Sequence, residues 1–317
     1  MNSFLVTGGA GFIGSHIVEE LVRRKYPVRV LDNFSSGKMT NLKTVSSKIQ
    51  IIKGDVRSLQ TCLKVTRGIS CVLHQAALLS VPESLQNPEE YNEVNIGGTL
   101  NMLKACVKNK AKRFVFASSS SVYGDVADFP EKETLLPQPI SPYALTKLAG
   151  EYYCRIFSHH YDLETVCLRY FNVFGPRQSL NNEYAGVVPK FISCCLQDKP
   201  APVYGTGRQS RDFTYVANVA EANLLAATKK ELKEKVLNVA LGHDISVLGL
   251  LAELNVILKK DIKPKFLDSR PGDVFKTQAD ISRIRKVLGF KSRVGLRQGL
   301  GLTVEHFLRN AEWSANL

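Results

Sequence analysis

Apolar residues fall along this chain in two alternating rhythms. Short apolar runs, of the kind a strand buried on both faces requires, recur at Phe4-Leu5-Val6, Val28-Arg29-Val30-Leu31, Ile49-Gln50-Ile51-Ile52, Cys71-Val72-Leu73-His74 and Arg113-Phe114-Val115-Phe116-Ala117. Between them the spacing changes to threes and fours. Ile13, Ile17, Val18, Leu21 and Val22 mark one helix face, and Leu100, Leu103 and Val107 mark another. Strands alternating with helices predict an α/β fold built on a parallel, doubly wound sheet. After Pro176 the rhythm becomes irregular, with loops expected over 177–186 and 205–210. The chain therefore reads as a first domain over 1–170, with 212–242 returning to it, and a smaller α/β lobe over 171–317.

The polar residues that interrupt this pattern gather at expected strand ends. The first strand runs into Thr7-Gly8-Gly9-Ala10-Gly11-Phe12-Ile13-Gly14 and then a helix. Glycines there let backbone approach a pyrophosphate, whose charge rests at the helix N-terminus. The second strand ends in Asp32, 18 positions after Gly14, where a carboxylate can grip the ribose hydroxyls of NAD and repel the 2′-phosphate of NADP. The fourth strand delivers Gln75-Ala76-Ala77, and the fifth delivers Ser118-Ser119-Ser120-Ser121. Serine runs are commonly plain turns, but this one leaves the sheet where a cofactor is expected. Downstream, Ser141-Pro142-Tyr143-Ala144-Leu145-Thr146-Lys147 resembles a helix start that puts Tyr143 and Lys147 one turn apart. An ammonium beside a phenol favours the phenolate, and a tyrosine so tuned can act as a base. Alone, that spacing fits a buried Tyr and a snorkelling Lys equally well.

Composition narrows the reading. With 317 residues, 44% hydrophobic and 22% charged, the chain can bury a sizeable core. No apolar run is long enough for a membrane span, and the N-terminus lacks the basic start of a signal peptide. Seven cysteines, without a C-x-x-C pair, suggest reduced thiols and a cytoplasmic location. The net charge of +13 is spread along the chain, and its densest run, over 229–235, is mixed with acids. Nucleic-acid binding is not expected; a field attracting anionic small molecules is. His159-His160 has no partner at ligand spacing, so no metal site is expected.

Taken together, the glycine turn, Asp55-Val56, the Ser-Ser-x-Val-Tyr-Gly run, Tyr143-x-x-x-Lys147 and Leu168-Arg169-Tyr170-Phe171-Asn172-Val173-Phe174-Gly175-Pro176 resemble the extended short-chain dehydrogenase/reductase family, over nearly the whole chain. The resemblance implies a Rossmann fold. Within that family, His74-Gln75-Ala76-Ala77-Leu78 and Asp32-Asn33-Phe34-Ser35-Ser36-Gly37-Lys38 look most like the UDP-hexose 4-epimerases, above all those acting on UDP-N-acetylglucosamine. It implies Ser119, Tyr143 and Lys147 as catalytic residues. It implies cofactor contacts at Gly8, Gly11, Phe12, Ile13 and Gly14, at Asp32, Asn33, Ser35, Ser36 and Gly37, and at Asp55, Val56, Gln75, Ala76, Asn95, Tyr143, Lys147, Phe171 and Val173. For a nucleotide-sugar it implies Ser80, Ser119, Ser120, Ser121, Tyr143 and Asn172, then Val188, Lys190, Tyr204, Arg211, Arg270 and Asp273. Arg211 and Arg270 suit a diphosphate, which guanidinium recognises through paired charge-assisted bonds. The resemblance also implies a homodimer packed through helices near 91–108 and 143–160, and a place in nucleotide-sugar metabolism serving polysaccharide biosynthesis. Gly205-Thr206-Gly207 and Asn218 depart from the family pattern, where aspartates are common.

Several reactions share such a scaffold. Dehydratases and decarboxylases of the family carry an acid beside the catalytic hydroxyl, where this chain has Ser120 and Ser121. Epimerisation at C4 is therefore the leading expectation. Thr277-Gln278-Ala279-Asp280-Ile281-Ser282 resembles the family stretch that gates the hexose, where a bulky aromatic goes with non-acetylated sugars; the small Thr277 then implies room for a 2-acetamido group and UDP-GlcNAc/UDP-GalNAc. The alternatives are another UDP-sugar enzyme (UDP-glucose or UDP-uronate 4-epimerase, or 4,6-dehydratase) and a non-catalytic NAD(H)-binding regulator.

Overall fold

A computed structural model of the chain describes residues 3–179, 186–232, 235–269 and 274–309. The first stretch runs β1 (Phe4–Thr7), α1 (Phe12–Arg23), β2 (Val28–Asp32), β3 (Gln50–Lys53), α2 (Leu59–Val65), β4 (Cys71–His74), α3 (Val81–Gln86), α4 (Pro88–Tyr91), α5 (Gly98–Lys108) and β5 (Arg113–Ser119). It continues through α6 (Pro142–His160), β6 (Glu164–Tyr170) and β7 (Val173–Phe174). Then come α7 (Val187–Leu196), β8 (Ala201–Tyr204), β9 (Ser210–Arg211), β10 (Thr214–Tyr215), α8 (Val216–Thr228) and β11 (Lys235–Val239). The last are β12 (Ile245–Ser246), α9 (Val247–Leu258), β13 (Pro264–Leu267), α10 (Ser282–Leu288) and α11 (Leu296–Arg309).

Seven strands form one parallel sheet in the order β11-β6-β5-β4-β1-β2-β3. The apolar runs are explained by burial on both sides. Phe4, Val6, Val30 and Leu73 face one core beneath α1 and α8, while Leu5, Leu31, Val72, Phe114 and Phe116 face another beneath α2, α5 and α6. Strand order reverses at β1, which has β2 on one side and β4 on the other. A crevice opens outside the carboxyl ends at such a switch point.

The remaining strands make three two-stranded ladders, β7–β10, β9–β12 and β8–β13. They pack with α7, α9 and α11 around a third core that includes Phe174, Phe191, Val203, Leu250, Leu254 and Phe307. Among the described residues, no helix is long and apolar enough to cross a membrane. All seven cysteines are free thiols, and burial raises the pKa of several, Cys71 to about 12. The two histidines at the end of α6 are exposed, and no cluster of metal-ligating side chains occurs among the described residues.

Candidate active site

A cleft of about 1440 Å³ lies along the carboxyl edge of the large sheet. That exceeds the roughly 300–1,000 Å³ of a site for one small ligand and suits two ligands placed end to end. One half is floored by the glycine turn. Gly8 has φ +64°, and a Cβ there would meet the backbone of Ala76 at 2.8 Å. A Cβ on Gly14 would lie 2.1 Å from the Gly8 carbonyl oxygen, so α1 can leave the turn only without one. At Gly11 the nearest atom would be 3.2 Å away, and α1 begins there with no side-chain cap. Its first-turn N–H groups are left for an anion in the cleft, a fit for the pyrophosphate of a dinucleotide.

Asp32, at the end of β2, accepts the Ala10 and Phe34 N–H groups, each at 2.8 Å, and lines the cleft. Asn33, Ser35 and Ser36 line it too, whereas Gly37 is tucked behind. A Cβ on Gly37 would meet Asp32 Oδ1 at 2.9 Å, so its part is to let the loop close on that carboxylate. Asp55 accepts from Arg57 and Asn33, and the Arg57 hydrogen bond holds its carboxyl down at about 2. Val56, Gln75 and Ala76 complete this wall. Beneath it, His74 bridges Thr7 and Thr99 at 2.8 and 3.1 Å, and burial lowers its pKa to about 3.

The cleft's centre is made by β5 and α6. Ser141 caps α6 by accepting the Ala144 N–H at 3.2 Å, with Pro142 in the first turn. Tyr143 and Lys147 thus face the cleft from one side, and Ser119, Ser120 and Ser121 from the other. Ser119 accepts from the Ser121 N–H at 3.2 Å and hydroxyl at 2.9 Å. Burial pushes the Tyr143 phenol up, and the Ser119 hydroxyl pulls it back down. Lys147 differs from expectation. Its Nζ donates to the Ala117 carbonyl at 2.9 Å and stands 5.8 Å from the Tyr143 ring centroid. Burial lowers its own pKa to about 7, and the phenol is raised rather than lowered, because both groups are dehydrated.

The opposite wall carries Ser80, Asn172, Val173, Arg211 and Thr277. Asn172 (φ 33°) donates to Thr277 Oγ1 at 3.0 Å and to the Asp212 carbonyl at 3.1 Å. Arg211 donates to the carbonyls of Ser210 and Phe275, at 2.8 and 3.2 Å.

Several expected contacts fall elsewhere. Asn95 is buried on a π-helical turn (Asn92–Gly97) and clamps both the N–H and the carbonyl of Leu78, at 2.8 and 3.1 Å. It supports a cleft-lining loop from behind. Phe171 is fully buried against Tyr123, and Val188 is core. Lys190 is exposed and Tyr204 half-buried, and neither lines the cleft. Arg270 and Asp273 lie outside the described residues. Asn218 explains one departure from the family pattern: it accepts from Arg293 N and Val294 N and also donates to the Val294 carbonyl at 2.8 Å, which a carboxylate cannot do. Arg177, Gln178, His306 and Phe307 also line the cleft, and nothing in their spacing marks them.

Residues 4–240 match the NAD dependent epimerase/dehydratase family. The chain belongs to that family. A solved UDP-N-acetylglucosamine 4-epimerase from Methanobrevibacter ruminantium M1, in complex with UDP-N-acetylmuramic acid, is 43% identical, with a TM-score of 0.93 over 97% of this chain and 98% of that one. The UDP-glucose 4-epimerase of Thermotoga maritima, solved with UDP-glucose, is 37% identical, with a TM-score of 0.93 over 98% and 99%. The Thermus thermophilus UDP-glucose 4-epimerase, solved with NAD, is 37% identical, with a TM-score of 0.89 over 97% and 99%. As a member of this family the protein is NAD-dependent, and its glycine turn fits that cofactor.

Proposed function

We propose that the protein interconverts the C4 epimers of a UDP-hexose, with UDP-GlcNAc/UDP-GalNAc as its preferred pair. The observation that carries this reading is the meeting of Ser119 and Tyr143 in a cleft whose β5 wall bears no acid. Among the described residues lining the cleft, the acids are Asp32, Asp55 and Glu90; the first two stand at the end of β2 and after β3, and Glu90 is exposed on α4. Elimination of water or loss of a carboxylate calls for an acid beside the reacting carbon, whereas epimerisation needs one proton shuttle.

Tyr143 takes the proton of the 4-hydroxyl and later gives one back to the same oxygen, while Ser119 orients that oxygen and stabilises the phenolate. Lys147 fixes the end of β5 through Ala117 and supplies a group that ionises near neutrality. When bound, NAD supplies reversible hydride chemistry at C4. Gly8, Gly11 and Gly14 with Asp32 hold it in this reading, with Asn33, Ser35, Ser36, Asp55, Val56, Gln75, Ala76 and Val173 around it. Arg211 and Asn172, with Arg270 and Asp273, hold the UDP end, so that only the sugar turns as a 4-keto intermediate. Thr277, held by Asn172, leaves room for a 2-acetamido group.

The same reading divides the chain into a cofactor domain, 1–170 with 212–242, and a substrate lobe, 171–317. It also includes a cytoplasmic homodimer. Leu145, Tyr152 and Ile156, each about half exposed (53%, 51% and 48%), form one apolar stripe along α6 beside α5, which supports that interface. Incubating the purified protein with UDP-GlcNAc and following the C4 proton by NMR tests the proposal. Appearance of UDP-GalNAc is expected, and similar or faster turnover of UDP-glucose would remove the substrate preference.

A further inference from the structure

Behind the Ser119 wall, a second group of side chains joins the same two elements. Ser118 donates to Glu151 Oε1 at 2.5 Å. Arg169 donates to both oxygens of that carboxylate, Nε to Oε1 at 2.8 Å and NH2 to Oε2 at 2.7 Å. All three are buried, with 3%, 6% and 3% of Ser118, Glu151 and Arg169 exposed. Glu151 stands on α6, one turn beyond Lys147, while Ser118 and Arg169 are paired directly across β5 and β6. The network continues outward. The Arg169 guanidinium carbon lies 4.6 Å from the Tyr123 ring centroid, and the Tyr123 hydroxyl donates to Asn238 Oδ1 at 2.7 Å. Arg169 NH1 is buried with no hydrogen-bond partner among the described residues.

A buried ion pair is a poor source of stability, because dehydrating two charges offsets most of their attraction. What it supplies is direction: a bidentate guanidinium–carboxylate bond sets both distance and angle. Apolar packing between β5 and α6, where Gly150 comes so close to Phe116 that a Cβ would lie 2.2 Å from the ring, resists separation but not sliding. Tyr143 rides on α6 and Ser119 on β5, so sliding would part them. We propose that Ser118, Glu151 and Arg169 form a positioning device that locks the end of β5 to α6 and so keeps Ser119 against Tyr143. Glu151 and Arg169 do not line the cleft and touch no reactant; they are positioning residues. The inference rests on the epimerase reading for its kinetic consequence, but not for its structural one.

Two variants test it. Ser118→Ala leaves both guanidinium bonds and the Lys147–Ala117 hydrogen bond, and removes only this network's own link to β5. The double variant Glu151→Leu with Arg169→Met replaces the pair by apolar groups of similar bulk, a change that buried ion pairs often tolerate. The readouts are kcat and KM for the UDP-sugar, bound NAD, and the titration of Tyr143 by NMR of ring-labelled tyrosine, with the resonance assigned by its loss in Tyr143→Phe. In Ser118→Ala, kcat falls about tenfold or more, as expected for misplaced reacting groups, KM and bound NAD hold, and Tyr143 titrates at higher pH because Ser119 no longer supports the phenolate. The double variant shifts Tyr143 the same way. A wild-type Tyr143 titration in Ser118→Ala would overturn the proposal, even if thermal stability drops. Because the titration needs no turnover, a wild-type protein that fails to epimerise UDP-sugars would remove the proposed function while leaving this test intact.

Discussion

On the glycine-turn side of the cleft, the lining groups stand at, or directly follow, the ends of strands in one continuous parallel sheet. On the opposite side, Asn172, Arg211 and Thr277 stand on separate segments joined by ladders of two residues and by side-chain bonds. The ladder places Thr7, Asp32, His74 and Ser119 at one edge through backbone bonds. The other wall is placed by buried acids. Asp212 accepts the N–H groups of Leu241, Gly242 and Ala279, and Glu131 accepts that of Gln278, at 3.0, 2.9, 3.3 and 3.0 Å. Burial raises these carboxyls to about 7 and about 8. The first wall's carboxylates, such as Asp55, stay ionised to low pH, whereas the second leans on carboxyls that burial makes titrate near neutrality.

The largest effect is expected where the ladder meets the chemistry. Tyr143→Phe should cut kcat by about 10²–10⁴-fold, the usual worth of a proton-transfer group, with NAD still bound. Retained turnover would remove Tyr143 as the base. Gly14→Ala breaks the turn itself, since the new Cβ would lie 2.1 Å from the Gly8 carbonyl oxygen. A loss of about 1–3 kcal/mol in denaturant unfolding is expected, together with lost NAD absorbance in the purified protein. Thr277→Tyr acts on the other wall. It should lower turnover of UDP-GlcNAc by about tenfold or more while UDP-glucose continues to react, the discrimination that a filled pocket gives. Equal losses on both sugars would show that Thr277 does not set sugar size.

The pH dependence of stability tests the contrast in ionisation. Glu131 titrates near 8 in the folded chain against an ordinary 4.5, so the folded state holds an extra proton between those values. Its contribution to stability is full below about 4.5 and is lost as pH rises through about 8. Across that window, unfolding free energies of wild type and Glu131→Gln should diverge by a few kcal/mol, about 1.4 kcal/mol per pH unit, with wild type losing stability. Parallel pH curves would show that the second wall does not depend on this carboxyl.

Much of the site was legible along the chain, because in a parallel sheet every strand end points to the same edge. Gly8, Gly14, Asp32, Ser119 and Tyr143 are all local features: a turn that needs glycine, a polar residue closing an apolar run, a capped helix start. Asn95 and Phe171 show where that logic stops. Both follow from motifs, yet one clamps a loop from behind and the other is core, since a motif marks a neighbourhood and not a side-chain direction. The Lys147–Tyr143 spacing was correct as geometry and misleading as electrostatics, because dehydration outweighs an ammonium already bonded to the Ala117 carbonyl.

By itself, then, the sequence determined the parallel sheet, the glycine turn at its carboxyl edge and the shared face of Tyr143 and Lys147 on α6, since each depends on residues within a few turns of one another. Only the tertiary structure decided how Thr277 reaches Asn172, 105 positions away, and how Arg169 and Ser118 meet on one carboxylate. Those contacts form between segments with no shared period. They exist only once burial has brought polar groups together and left them no partner but each other.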